Sequence, residues 1–143
     1  MQLTLMMDAA RYDTQALSAH WNWLIPAADS PLFIYAMGDW VFGKPNGSLW
    51  ALSLPEGDYR QIAQHAAEYN QLNKSPEWLN DEFCAEWLLI ASNHGLSPAP
   101  HQCLGWQLHP VLGGPFEVAN LTLFDMHEHQ ANMARMHRRL QQI

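Results

Sequence analysis

Histidine and cysteine are the residues of this chain whose chemistry could bind a metal or carry catalysis. Residues 127–131 begin like the zinc motif HExxH, but an alanine stands where the second histidine belongs. His101, His109 and His137 lie far apart in the sequence, so only the fold could assemble them into a zinc site. We expect no metal site, and a small metal-dependent enzyme that uses these histidines is the alternative hypothesis.

The two cysteines offer little nucleophilic chemistry. Cys84 lies in a helical pattern and Cys103 in a strand pattern, and a cysteine buried in apolar surroundings is usually inert. They form no CxxC motif, and the sequence leaves open whether they pair in a disulfide. We therefore predict no catalytic residue, no cofactor and a chain that is not an enzyme.

An acidic segment without basic residues is the clearest surface signal. The net charge is −7, and no lysine or arginine occurs between Lys74 and Arg135. Ser75 and Pro76 predict the start of a helix over residues 76–94. Acidic pairs spaced by four residues on such a helix cost about 0.2–0.5 kcal/mol each. The acids of this helix are Glu77, Asp81, Glu82 and Glu86.

We predict that these four acids form a docking surface for a strongly basic protein partner. A solvated face that aids solubility is the alternative reading. If another face binds the partner, the loop at residues 112–116 and the hairpin tip at residues 44–47 are the candidates. The negative charge disfavours direct binding of nucleic acid, which needs clustered basic residues against phosphates.

The pattern of elements predicts a single α+β domain in which a small, mainly antiparallel sheet is covered by about four helices. Capping by Asp13 predicts a helix that ends near Ile25. Strands are expected at residues 32–37, 39–42 and 48–54, and the last two form a hairpin around the turn at residues 44–47. Helices are expected at residues 58–72 and 76–94, and two further strands on either side of residues 111–115.

The last helix should begin after Asp125, which starts a capping box. Its predicted inner face consists of Met133, Met136, Leu140 and Ile143. Arginines near its end are favoured by the helix dipole. The sequence contains no apolar run long enough to span a membrane and no visible signal peptide, so we expect a cytoplasmic protein.

Three short motifs occur in the same order as in a known family. They are Gly38-Asp39-Trp40, Gln102-Cys103-Leu104-Gly105, and Leu112-Gly113-Gly114 followed by Phe116 and Asn120. On these motifs the chain resembles the C-terminal domain of type VI secretion immunity proteins, which is named for the antidote to a secreted DNase. The resemblance covers residues 32–143 and leaves residues 1–31 as an N-terminal helix and loop.

This resemblance implies a bacterial protein without catalysis that binds a cognate toxin, expected to be a nuclease, and occludes its active site. It implies structural roles for Gly38, Asp39, Trp40 and Asn120, and for residues 112–114. An acidic, tryptophan-rich domain would suit the basic cleft that a nuclease presents to phosphates. A regulatory protein-binding module unrelated to toxins is a further alternative.

Overall fold

The computed structural model describes residues 4–142, and these residues form seven strands and five α-helices. The strands are β1 (Met6–Asp8), β2 (Ser30–Tyr35), β3 (Trp40–Gly43), β4 (Leu49–Ser53), β5 (Asp58–Ala63), β6 (Gln102–Trp106) and β7 (Leu121–Asp125). The helices are α1 (Thr14–Ala19), α2 (Ala66–Leu72), α3 (Pro76–Phe83), α4 (Ala85–Asn93) and α5 (Met126–Gln141).

Strands β1 to β5 form an antiparallel meander in chain order, and β6 pairs with β7 in a second antiparallel sheet. A hydrogen bond from the Leu104 amide to the Ala36 carbonyl (2.8 Å) links the two sheets. The α+β class, the antiparallel pairing and the β3–β4 hairpin are therefore confirmed. The N-terminal segment also contributes β1, a strand that the sequence reading missed.

Helices pack on both faces of the large sheet because its central strands are apolar on both sides. Trp40 and Phe42 of β3 join the core under α1 and α5, whereas Val41 joins the core with Phe83 of α3. A third core lies between α4 and the small sheet. Among the described residues, no helix is both long and apolar enough to cross a membrane.

The helix predicted at residues 58–72 is wrong over its first half. Residues 58–63 form strand β5, which pairs with β4 from Ser53–Asp58 to Leu49–Ala63, and only α2 remains helical. Gly57, at φ +69°, makes the reversal between the two strands. The cross-strand hydrogen bonds satisfy the β4 backbone, so pairing outweighs the local helical pattern.

The single helix predicted at residues 76–94 is also wrong, because α3 and α4 are separated at Cys84, whose backbone is left-handed (φ 55°, ψ 40°). The break allows the two helices to pack into two different hydrophobic cores. Phe83 stacks on Tyr35 with ring centroids 3.6 Å apart, while Leu88 points into the core of the small sheet. The Asn80 side chain accepts a hydrogen bond from the Glu86 amide (3.1 Å) at the start of α4.

Helix α1 ends at Ala19, earlier than predicted, and turns carry the chain to Ile25. The predicted cap is confirmed, because the Asp13 carboxylate accepts a hydrogen bond from the Ala16 amide (3.1 Å). Asp125 caps α5 in the same way through the Glu128 amide (3.0 Å).

The predicted inner face of α5 is wrong in part. Its buried residues are Met126, His129, Gln130, Ala134 and His137. Met133, Met136 and Leu140 are only partly buried, and Ile143 lies outside the described residues. Polar side chains occupy the interior here because unpaired backbone groups of the large sheet need hydrogen-bond partners, as described below.

Candidate functional site

The structure brings two of the three candidate zinc ligands together, but both bind a backbone carbonyl. His109 and His137 lie edge to face, with ring centroids 5.3 Å apart. Both Nε2 atoms lie within hydrogen-bond distance of the Leu54 carbonyl oxygen, at 3.1 and 2.6 Å. A carbonyl oxygen only accepts, so each ring donates its Nε2 proton to it. Both Nε2 atoms are therefore already hydrogen-bonded to a backbone group.

His101 is exposed and lies at the surface beside Tyr12 and Asp125, away from this pair. Within residues 4–142, no group of three histidine, cysteine, aspartate or glutamate side chains could hold a metal ion.

The cysteines are free thiols in protected positions. Cys103 is fully buried and Cys84 is partly buried. Burial, followed by the nearby carboxylates, raises the pKa of Cys84 to about 11 and that of Cys103 to about 12. Both therefore stay protonated at neutral pH, and neither is activated as a nucleophile.

The four acids predicted to bind a partner are divided between two helices. Glu77 and Asp81 on α3 and Glu86 on α4 are exposed. Glu82 differs, because Arg60 of β5 donates a hydrogen bond to it at 2.8 Å. The four acids lack a basic residue on their own helices, but Arg60 supplies one for Glu82 from the neighbouring sheet. Three of the four thus remain available for a partner.

The largest group of exposed apolar side chains in the described part of the chain lies on the loop that follows β6. We call it the loop patch, and it consists of Leu108, Val111, Leu112 and Phe116. These side chains are 47% to 60% exposed, whereas most large apolar residues in the described part of the chain are buried. An exposed group of large apolar side chains is a candidate interaction site. The sequence reading considered this loop only as an alternative binding face.

Asn120 holds the loop patch in shape. Its side-chain oxygen accepts a hydrogen bond from the Leu108 amide (3.0 Å), and its amide nitrogen donates to the carbonyls of Leu108 (2.8 Å) and Pro115 (3.0 Å). Gly113 takes φ +96°, and a methyl group on Gly114 would overlap the Leu108 carbonyl oxygen. Asn120, Gly113 and Gly114 therefore build the scaffold of the loop.

A chain of packed aromatic side chains connects the loop to α4. Phe116 packs edge to face on Trp106, and Trp106 packs in the same way on Trp87 of α4, with ring centroids 5.3 and 5.1 Å apart. His109 anchors the start of the loop through Leu54. A surface held in this way loses little conformational entropy when it binds a partner.

The other predicted motif, Gly38-Asp39-Trp40, lies in the interior. Asp39 accepts a hydrogen bond from the Leu54 amide (2.9 Å), yet its burial raises the pKa of the carboxyl to about 7. The Gly38 carbonyl accepts a hydrogen bond from Gln130 of α5 (2.7 Å). Trp40 is fully buried, and its indole N–H has no partner among the described residues.

Gln130 extends this network to the N-terminal segment, because its side-chain oxygen accepts a hydrogen bond from the Trp21 indole (2.9 Å). We call these connected groups the buried polar network: Trp21, Gly38, Asp39, Leu54, His109, Gln130 and His137. It joins the large sheet, α5 and the base of the loop patch.

A scan against protein-family models gave no match, and a search of curated proteins gave none either. Among solved structures, the chain is similar to Atu4351 from Agrobacterium tumefaciens, which is known from a crystal structure. The TM-score is 0.60 at 11% identity, and the match covers 92% of this chain and 66% of that chain. This chain thus spans about two thirds of that protein's length. At this identity the likeness shows the fold alone.

Proposed function

We propose that this protein is a cytoplasmic immunity protein that binds a cognate toxic effector and occludes its active site. The expected effector is a basic protein, and a type VI secretion nuclease is the class that the sequence motifs suggest. One observation carries the proposal, namely a rigid apolar loop patch within a part of the chain that has no basic residue between Lys74 and Arg135.

The loop patch has the composition expected at the centre of a protein interface. Interface centres are apolar and rich in aromatic side chains, and a charged rim surrounds them. Phe116 and Leu112 would supply the centre, with exposed fractions of 60% and 55%. A standard interface buries about 800 Å² per partner, which is about one tenth of the 7662 Å² surface of this chain.

The charge around the patch favours a basic partner. Glu117 lies next to Phe116, and Glu86 lies next to Trp87, which supports the loop through Trp106. Exposed acids accelerate association with a positively charged protein and disfavour acidic ones. A nuclease must present a positive cleft to its phosphate substrate, so an acidic protein with an apolar centre would suit that cleft.

The test is protection of growth. The candidate effector is the product of the adjacent open reading frame, and it is expressed together with wild-type or variant chain. We expect wild type to restore growth and the double variant Leu112→Asp/Phe116→Asp to fail, because two charges would be buried in the interface. Ala67→Asp/Asn70→Asp, which adds two charges at exposed positions on α2, is the matched control and should still protect.

Thermal melting of each variant separates loss of binding from loss of the fold. Protection by a folded double variant would show that the loop patch does not bind the effector. A regulatory module unrelated to toxins would bind a partner without protecting the cell. A metal-dependent enzyme would need a hydrolytic or redox activity that depends on added metal.

A further inference from the structure

A second surface with the opposite charge lies between the turn after α1 and the C-terminal half of α5. We call it the arginine groove, and its volume is about 490 Å³. The residues that shape it are His20, Trp23, Arg135, Arg138, Arg139 and Gln142. Three small residues, Ala19, Ala131 and Ala134, also line it and leave room for a ligand, and among the described residues that line it there is no aspartate or glutamate.

The three arginines lie on one stripe of α5 and have no acidic partner among the described residues. All ion pairs within residues 4–142 use Lys44 or Arg60. Arg135 makes only a long contact of 3.4 Å with the Asn132 side chain. A helix dipole favours cations in the last turn, which accounts for Arg138 and Arg139 but not for Arg135, two turns from the end of the 16-residue helix.

The opposite wall of the groove is aromatic. Trp23 is held by a hydrogen bond from its indole N–H to the His20 carbonyl (3.0 Å) and by stacking on Trp21. Its N–H is thus already used, and what it offers to a ligand is its ring. His20 lies beside it, with its Nε2 atom 3.3 Å from that of His127.

The charge state of His20 depends first on its partial burial and then on its basic neighbours. Partial burial, followed by the nearby His127 and Arg135, lowers the pKa of His20. The imidazole is therefore neutral at pH 7, and it can donate or accept a hydrogen bond without adding charge.

We propose that the arginine groove binds a small phosphate ester that carries a planar ring, of about the size of a mononucleotide. Guanidinium groups match the oxygens of phosphate in a bidentate geometry, and planar rings stack on tryptophan. The volume falls within the range of small-molecule sites. This site is separate from the loop patch and does not depend on the proposed immunity function.

The test is calorimetric titration of the full chain with adenosine monophosphate, ribose 5-phosphate and citrate at constant ionic strength. We expect saturable one-to-one binding of adenosine monophosphate, weaker binding of ribose 5-phosphate because it has no ring, and weaker binding of citrate. Replacing both Arg135 and Arg138 by glutamine should weaken the binding of adenosine monophosphate by about tenfold or more, because two charge-assisted hydrogen bonds are lost.

Two variants make the result specific. Arg11→Gln/Lys74→Gln removes the same charge at positions outside the groove and should leave the affinity unchanged. Trp23→Leu should weaken the binding of adenosine monophosphate more than the binding of ribose 5-phosphate. The proposal is overturned if no probe binds, if the control pair weakens binding as much as the groove pair, or if citrate binds as tightly as adenosine monophosphate and Trp23→Leu has no effect. Melting curves confirm that each variant is folded.

Discussion

The loop patch and the arginine groove have opposite chemistry although both depend on α5. The loop patch presents four apolar side chains in a region without basic residues, whereas the groove gathers three of the seven lysines and arginines of the chain. The inner face of α5 reaches the base of the loop patch through His137 and Leu54, and its outer face lines the groove. Substitutions on the buried face of α5 should therefore affect both surfaces. Substitutions at one surface should affect that surface alone.

Gln130→Leu is expected to have the largest effect, because it removes two hydrogen bonds of the buried polar network at once. Gln130 is completely buried, and its loss would leave the Trp21 indole N–H and the Gly38 carbonyl without partners. Each buried unpaired group costs about 1–3 kcal/mol, so the free energy of unfolding in urea should fall by about 2–6 kcal/mol.

The control for this prediction is Gln141→Leu, which removes one hydrogen bond at the exposed end of the same helix. It should cost about 1 kcal/mol or less. Equal losses for the two variants would show that the buried polar network does not hold the regions together.

The pH dependence of the unfolding free energy of Asp39→Asn tests the same network. The folded carboxyl has a pKa of about 7 and its ordinary value is 3.8, so between these values the folded chain keeps a proton that the unfolded chain releases. Asp39 therefore lowers stability as the pH rises from 3.8 to 7. Asparagine keeps an acceptor for the Leu54 amide without the charge, and it should raise the free energy of unfolding at pH 8 by up to about 4 kcal/mol.

The measurement is urea unfolding of wild type and Asp39→Asn at several pH values. His129 acts in the opposite direction, because burial lowers its pKa to about 4 and stability falls as the pH drops from 6.5 to 4. The variant should therefore lose stability more steeply than wild type as the pH falls below 6.5. Parallel curves for the two proteins would contradict an uncharged, buried Asp39.

Asn120→Ala should disrupt the loop patch and leave the arginine groove intact. It removes three hydrogen bonds that shape the loop, at a cost of about 2–3 kcal/mol in unfolding free energy. We expect the variant to lose binding of the effector and to retain binding of adenosine monophosphate, because the side-chain hydrogen bonds of Asn120 go to Leu108 and Pro115 and neither residue lines the groove. Asn93→Ala at the exposed end of α4 is the control. Loss of both activities in a folded variant would mean that the two surfaces are not independent.

Reversal of Asp81 and Glu86 to lysine should have the smallest effect on stability, within about 0.5 kcal/mol, because both side chains are exposed. It should slow association with a basic effector and weaken the salt dependence of the rate. These two acids are better targets than Glu82, which is already bound to Arg60.

The rate is measured by stopped-flow mixing at two salt concentrations. Gln15→Lys/Gln64→Lys/Asn70→Lys/Gln71→Lys changes the net charge equally at exposed positions outside α3 and α4 and serves as the control. Equal association rates for wild type and Asp81→Lys/Glu86→Lys at low salt would exclude a role for α3 and α4 in binding.

Local signals allowed several elements to be predicted from the sequence. The caps at Asp13 and Asp125, the start of a helix at Pro76 and the hairpin turn at residues 44–47 were all found where expected. Each depends on a few neighbouring residues whose side chains satisfy nearby backbone groups or set backbone angles. Such preferences act within one turn of the chain, and they need no distant partner.

Features that depend on distant partners were missed. Strand β5 was predicted as helix, because its pairing with β4 is not visible in the periodicity of residues 58–72. The break at Cys84 was missed because it is set by the position of Phe83 on Tyr35, a contact across 48 positions of the sequence. The exposure of the loop patch also depends on which neighbours happen to cover each side chain.

The sequence by itself determined the α+β class, the hairpin, the helix caps and a central segment without basic residues. Only the tertiary structure decided that Glu82 is neutralised by Arg60, that His109 and His137 bind a backbone carbonyl, and that Arg135 faces Trp23 across a groove. The physical reason is that capping and turn preferences act between neighbours, whereas burial and charge pairing depend on distances that the chain acquires only on folding.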